Sequence, residues 1–368
     1  MDQPEDNLYN DHICLSIVKE FRLSGMLMQD SKFLVPKIPK IFSYSPYPER
    51  KHYFMRKEEL FLQSVYDDLP LGLSIRIPEH PTGVIQFVHG MAEHRKRYHD
   101  LMEHLSQHGY ITVLHDHRGH GDSVRSPQDY GYFYENGIDA IVEDVHQITL
   151  YAKERFPGLP VVLFGHSMGS MVVRCYMRQY DSDIDGLIVC GSPSRNPMAR
   201  SGKMLVRLLK RVKGARYRSP LVQKMAFGSF NRNVQNPSSE NAWICSDDAV
   251  VKAYDKDPQC GFVFTLNGFE ALFGLMIRTY QKSGWVIRHP EIPILFIAGE
   301  QDPCIVSRDD FVQAVSFMKQ RGYQKCDGRL YPDMRHEILN ETGKETVWND
   351  ILLWIKEQRL YAEQEPSV

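Results

Sequence analysis

A strand–helix alternation runs through most of this chain and leaves few architectures open. Two strand-like pieces, Leu60 to Val65 and Leu71 to Ile77, flank the turn-prone Asp67-Asp-Leu-Pro and read as an opening hairpin. Apolar strands then alternate with amphipathic helices. Strand Gly83 to His89 is followed by a helix from about Arg97 to His108, and strand Ile111 to Asp116 by a helix from about Gly137 to Arg155. Strand Val161 to Gly165 leads into a helix from Met168, and strand Gly186 to Gly191 follows it. This pattern predicts an α/β fold, a mostly parallel central sheet with helices on both faces. The rhythm then stops for roughly ninety residues, far beyond ordinary loop length. It resumes with strand Ile292 to Ala298, a helix from Asp309 to Arg321, strand Gly328 to Tyr331 and a last helix from Glu345 to Lys356. The expected layout is an N-terminal arm and connector (1–50), one core made of 51–191 and 290–368, and a mainly helical cap inserted between late strands (192–289).

The arm carries the Pro-rich stretches Val35-Pro-Lys-Ile-Pro and Tyr44-Ser-Pro-Tyr-Pro and has no sustained period, so it reads as partly helical, then extended. A formal net charge of -2, from 44 basic and 46 acidic residues, gives no overall attraction for nucleic acid. Seven cysteines, Cys14, Cys175, Cys190, Cys245, Cys260, Cys304 and Cys326, are scattered and contain no Cys-x-x-Cys pair. A reducing, cytoplasmic setting is expected. The N-terminal apolar stretch lacks the basic lead-in of a signal peptide, and no run is long enough for a membrane-spanning helix.

The chemistry is carried by Gly165-His166-Ser167-Met168-Gly169, set between the buried-strand pattern Val161-Val-Leu-Phe and a helical one beginning at Met168. Gly-x-Ser-x-Gly in that context is a nucleophile turn, tight enough that side chains at the two glycines would collide with backbone. The pentapeptide alone would arise by accident in about one chain in ten of this length, so its strand and helix flanks carry the weight. A serine hydroxyl needs a base, and the base an orienting carboxylate. Chain order in this fold is serine, acid, histidine. The strand Ile294-Leu-Phe-Ile-Ala-Gly runs into Glu300-Gln-Asp302-Pro, which points to Asp302 as the acid with Glu300 as the fallback. Asp333-Met-Arg-His336-Glu lies before the last helix, and no other histidine follows His289, so His336 is the expected base. The oxyanion of the tetrahedral intermediate needs backbone N–H donors. Met168, directly after the nucleophile, and Met91, in the loop after an early strand, are the candidates; their side chains read as pocket lining or as core.

Two further clusters have a plainer and a sharper reading. His115, His117 and His120 with Asp116 and Asp122 suggest zinc, but they lack a recognised ligand spacing, and a hydrogen-bonded turn beneath the site is the expectation. Arg195 to Arg232 holds many Lys and Arg and no acid, with Met204-Leu-Val and Leu208-Leu on one side. It reads either as a solvated basic helix or as a cap helix lying on an anionic lipid surface, a peripheral membrane contact.

The residues as a set resemble the monoacylglycerol lipase and lysophospholipase branch of the α/β-hydrolases, often labelled serine-aminopeptidase-like. The resemblance spans about Glu59 to Glu357. It rests on His89-Gly-Met-Ala-Glu-His94 with Arg97-Tyr98, Asp116-His-Arg-Gly-His-Gly-Asp-Ser123, Gly165-His-Ser-Met-Gly-Ser170, Gly299-Glu-Gln-Asp-Pro303 and Arg335-His-Glu-Ile-Leu-Asn-Glu341. It implies the α/β-hydrolase fold, the triad Ser167, Asp302 and His336, oxyanion donors Met91 and Met168, and hydrolysis of a single-chain lipid ester without metal or organic cofactor. The arm and the cap depart from the pattern. Three alternatives remain: an aminopeptidase-like amide hydrolase, which would want an acidic cap site for the substrate amine; an acyltransferase; and a non-catalytic ligand-binding protein of the same fold.

Overall fold

The computed structural model describes residues 54–363, so the expectations for the arm lie outside the described residues. The strands are β1 (Met55–Gln63), β2 (Pro70–Pro78), β3 (Gly83–Val88), β4 (Tyr110–His115), β5 (Val161–His166), β6 (Gly186–Cys190), β7 (Ile294–Gly299) and β8 (Cys326–Tyr331). They form one sheet in the order β1-β2-β4-β3-β5-β6-β7-β8. β1 and β2 make the antiparallel hairpin, with Leu60 opposite Leu73. β2 also pairs antiparallel with β4, and every later neighbour is parallel. The predicted α/β-hydrolase architecture is therefore the observed one.

Strands β3 to β7 are buried along their whole length, as strands covered on both faces must be. Their side chains still divide by parity. In β5, Val161 and Leu163 enter the core on one face of the sheet, while Val162 and Phe164 enter the other. The helices of the α/β rhythm are α1 (His99–Gln107), α2 (Gly137–Arg155) and α3 (Met168–Tyr180) before the insertion. Four more, α4 (Ala199–Lys213), α5 (Pro220–Phe227), α6 (Asp248–Lys256) and α7 (Leu266–Thr279), lie between β6 and β7. The last two are α8 (Arg308–Arg321) and α9 (Lys344–Glu357). Leu101 and Leu105 of α1 share one face with Trp348 and Ile351 of α9. Val145 of α2, Val172 of α3 and Phe311 of α8 cover the other.

The helix expected from Arg97 begins as a single 3-10 turn over Arg95–Tyr98 and becomes α-helical at His99. That turn is held by Arg95, whose backbone N–H donates to the Asp116 carboxylate at 2.7 Å. The insertion is mainly helical, and its final helix is not peripheral. α7 buries Leu266, Phe269 and Leu275 in the same core that α2 and α3 line. Gly268 permits this, since a Cβ there would come within 2.2 Å of the Gly131 carbonyl. α8 starts at Ser307, whose hydroxyl accepts the Asp310 N–H at 3.1 Å, and stops at Gly322 in the left-handed region. The Ser307 cap closes the loop that follows β7, where the predicted acid resides.

Candidate active site

Ser167 stands between β5 and α3 with φ 54 and ψ -118, a conformation that costs a non-glycine residue about 1–3 kcal/mol. Its backbone N–H is tied to the Cys190 carbonyl at the end of β6 (2.9 Å). The flanking glycines are required by contact: a Cβ at Gly169 would come within 2.1 Å of the Val88 carbonyl, and one at Gly165 within 2.5 Å of the Gly169 carbonyl. The turn is thus squeezed against the end of β3, which brings the predicted oxyanion loop alongside. A Cβ at Gly90 would sit 3.1 Å from the Cβ of Ser167.

Of the two candidate acids, Asp302 is the one that meets the histidine. His336 Nδ1 lies 2.9 Å from Asp302 Oδ2, and both side chains are buried. The second carboxylate oxygen of Asp302 accepts the Cys304 N–H at 2.8 Å, which fixes the carboxyl plane. Glu300 instead is engaged by Arg308 at the surface. The Asp302 contact puts the proton of a neutral imidazole on Nδ1. Nε2 is buried and has no hydrogen-bond partner among the described residues, so its lone pair is left for a proton. The ring is held between His166, at 4.8 Å between centroids, and Trp243 of the insertion, at 5.0 Å.

Glu93, Arg97, Tyr98 and Glu337 lie in the family-like stretches, with no role legible from the sequence. In the structure they form one buried network that joins three loops. Glu93 Oε1 accepts the Gly90 N–H (2.6 Å) and the Tyr98 hydroxyl (2.8 Å), and lies 3.3 Å from His166 Nδ1. Arg97 bonds Glu93 Oε2 at 2.8 Å and forks onto both oxygens of Glu337 at 2.6 Å. Glu93 thereby sets the backbone next to Met91, and Glu337 follows His336 directly. Burial opposes the charge on Glu93, but the His166 hydrogen bond and the Arg97 charge outweigh it and hold the carboxyl well below the ordinary range. Burial likewise depresses His166, and the hydrogen bond and charge of Glu93 reverse that, leaving it raised.

Nothing local in the sequence pointed to the insertion's hold on this loop. Ala92, at φ 51, follows Met91, and its carbonyl accepts both the Tyr254 hydroxyl (2.8 Å) and the Gly261 N–H (2.9 Å). Its N–H donates to His120 Nε2 at 3.2 Å. Next to it, His94 Nε2 lies 2.9 Å from Asp257 Oδ2. With both of its polar groups fixed, Ala92 leaves the Met91 N–H little freedom of direction. Tyr254→Phe removes one of the two donors to Ala92. The variant is expected to lose about 1 kcal/mol of stability and to lower kcat several-fold at unchanged KM. Thermal unfolding and steady-state kinetics together check this.

The histidine cluster is the hydrogen-bonded turn expected beneath the site. His89 Nδ1 donates to the Gly90 carbonyl (2.8 Å), and its Nε2 accepts the His117 N–H (2.9 Å). His117 Nε2 donates to the His89 carbonyl, and His120 Nδ1 to the Arg118 carbonyl. Ring nitrogens engaged by backbone are not offered to zinc, and although both nitrogens of His115 and Nδ1 of His117 lack a partner among the described residues, neither residue belongs to a group of three converging ligand atoms there. Two other groups of side chains have ligand atoms within 4.8 Å of one another among the described residues: His94, Asp257 and Cys260, and Asp302, Cys304 and His336. Burial pushes both thiols up, so they keep their protons, and the remaining members already hydrogen-bond each other.

A strained serine at a strand-to-helix turn, an acid after a later strand and a histidine before the last helix, on a sheet of this order, define an α/β-hydrolase. The chain belongs to the serine aminopeptidase, S33, family, which matches residues 79–343. It is 26% identical over 276 residues to a monoacylglycerol lipase of Mycolicibacterium smegmatis, covering 75% of this chain and 88% of that protein. It is 22% identical to the monoglyceride lipase of Homo sapiens, covering 76% and 84%. A thermostable carboxyl esterase from Bacillus coagulans, solved with glycerol, superposes with a TM-score of 0.74 at 27% identity over 82% of this chain and 98% of the other.

Proposed function

We propose that this protein is a serine hydrolase that cleaves carboxylic esters of single-chain lipids, of monoacylglycerol or lysophospholipid type. The observation that carries the reading is the Asp302–His336 pair at 2.9 Å with a free Nε2, buried beside the strained Ser167 turn. Ser167 Oγ attacks the ester carbonyl carbon while His336 Nε2 takes its proton, and Asp302 stabilises the imidazolium that forms. The carbonyl oxygen becomes an oxyanion that accepts from the Met91 and Met168 N–H groups. His336 then gives its proton to the leaving alcohol. Water, activated by the same nitrogen, cleaves the acyl-enzyme and returns Ser167. The names of the relatives favour a glyceryl ester.

A peptidase acting on N-terminal residues would use the same groups, but it needs an acid near the amine. The exposed side chains of α4 include none. The test is hydrolysis of medium- and long-chain monoacylglycerols, lysophospholipids, p-nitrophenyl esters and aminoacyl amides. Turnover of lipid esters supports the reading. Turnover of aminoacyl amides alone replaces it with the peptidase, and inertness toward the whole panel rejects it. Acyl transfer to an added alcohol, read in the products, would assign the acyltransferase outcome.

We also propose that α4 and α5 lie on an anionic lipid surface. Met204, Leu208 and Val212 of α4 and Leu221 and Met225 of α5 are exposed, and α4 carries Lys210, Arg211 and Lys213 in its last turn. Apolar side chains rimmed by cations are the chemistry of an interfacial helix. Vesicles containing phosphatidylserine should sediment the protein at low salt and release it at high salt, and Leu208→Asp should weaken the association about tenfold. Equal retention by neutral vesicles would reject the electrostatic part. No helix among the described residues is long and apolar enough to cross a membrane.

A further inference from the structure

A cavity of about 1030 Å³ opens between α4, the end of α7 and α8, and none of Ser167, Asp302, His336, Met91 and Met168 lines it. Arg195, Arg200, Lys203 and Lys282 bring four cations to its wall. None of the four joins a salt bridge among the described residues, whereas Arg207, which also lines the cavity, is paired with Glu270. The wall holds one acid, Asp310, which accepts the Ser307 hydroxyl and leaves the cations in excess. Lys203 is depressed by burial and then by the charge of Arg207, which the charges of Glu270 and Asp139 offset only in part.

The lining also includes two aromatic rings, Tyr280 and Phe317. Directly behind these rings lies Arg174 of α3, which is fully buried. Its guanidinium is 4.4 Å from the Tyr280 ring centroid and 5.9 Å from that of Phe317. Nη1 donates to Ser192 at 3.3 Å, but Nε and Nη2 have no acceptor among the described residues. Aromatic faces offset only part of the cost of burying such a charge. A positive field therefore reaches the cavity from behind as well as from its rim.

We propose that this cavity binds a single-chain amphiphile with an anionic head, its carboxylate or phosphate held by Arg195, Arg200, Lys203 and Lys282 and its chain laid on Tyr280 and Phe317. The site is distinct from the ester-cleaving one and goes beyond the hydrolase reading. It suits a ligand that carries charge and chain together. A small inorganic anion would leave the aromatic rings unused, and a neutral lipid would leave the cations unpaired.

The test is calorimetric titration with dodecyl phosphate below its micellar concentration, which removes any bilayer from the measurement. Inorganic phosphate and dodecyl maltoside serve as controls. One saturable site is expected, weakened about tenfold or more in the double variant Arg200→Glu, Lys203→Glu, with both controls weaker by a similar factor. Arg200 is exposed and Lys203 half-buried, so the melting temperature is measured alongside to show that the variant is folded, and its hydrolysis of a neutral short-chain ester should stay within about twofold. Absent binding overturns the proposal, as does equal binding by either control. Undiminished binding in the double variant also overturns it, because the amphiphile would then sit elsewhere. Since binding is read without turnover, failure of the hydrolase reading would leave this result intact, and the reverse holds too.

Discussion

Ser167→Ala should lower the rate of ester hydrolysis by about 10⁶-fold while leaving substrate binding and the fold in place. The size follows from the mechanism. Without Oγ there is no acyl-enzyme, and only the oxyanion donors and binding remain to accelerate attack by water, a residue of about 10³–10⁴ over the uncatalysed rate. Alanine is tolerated at the turn, because the strain at φ 54 belongs to the backbone and is enforced by the packing of Gly165 and Gly169. The acid is separated from its neighbour by a paired experiment. Asp302→Asn should cost about 10⁴-fold in kcat, since an amide in place of the carboxylate favours the wrong tautomer of His336. Glu300→Gln should change kcat less than about twofold, because Glu300 pairs with Arg308 at the surface. Measurement of kcat and KM for all three variants on one ester checks the set, and a Ser167→Ala enzyme within a hundredfold of wild type would overturn the assignment of the nucleophile.

Stability should fall steeply as the pH drops below about 6.5, with the loss continuing to about pH 3. Burial depresses four histidines beneath the site. It takes His89 and His117 well below the usual range, with neighbouring rings adding to the effect. It pushes His115 down to about 3 and His120 down to about 4. Hydrogen bonds add to this at two of them: His89 Nε2 and His120 Nε2 each accept a backbone N–H, and a proton there would face that donor. His115 has no hydrogen-bond partner among the described residues and is held neutral by burial and by the charges of Arg118 and Arg95. A folded-state pKa below the unfolded one means the unfolded chain binds more protons under pH 6.5. Each such histidine then removes about 1.4 kcal/mol per pH unit until its own folded value is reached. Glu93, depressed by its partners, adds to the loss below about pH 4.5.

Other groups act in the opposite direction. The raised His166 contributes stability that is present below about pH 6.5 and lost as the pH rises through its folded value. Asp116 and Asp144, raised by burial, bind protons in the folded state and offset part of the acid loss. A net uptake of at least about two protons on unfolding at pH 5.5 remains expected. Calorimetric unfolding in buffers of different ionisation enthalpy reads that number directly, and an uptake below one would show that the buried histidines are not what makes the fold acid-labile.

Much of this was legible along the chain, for identifiable reasons. α2 spans Gly137–Arg155, the range its apolar period predicted, because a helix that covers a sheet repeats its buried face every three to four residues. The glycines of the Ser167 turn were readable because steric exclusion is local: the atoms that forbid a side chain belong to the next few residues and to the adjoining strand. Asp302 and His336 were readable because sheet order places the loops after β7 and β8 at one edge. Spacing did not separate Asp302 from Glu300; direction does, since Asp302 meets His336 and Glu300 turns out to Arg308.

Position and residue type were determined by the sequence alone: the sheet, the interruption between β6 and β7, and the residues offered for a nucleophile, a base and an acid. Partnership across the chain was decided only by the tertiary structure. Ala92 is held by Tyr254 and Gly261, Arg97 by Glu337, and α7 packs into the main core although it belongs to the insertion. A buried polar group must find a partner wherever the fold brings one, at any separation along the chain. Periodicity reports which face of an element is buried, and is silent about what meets it there.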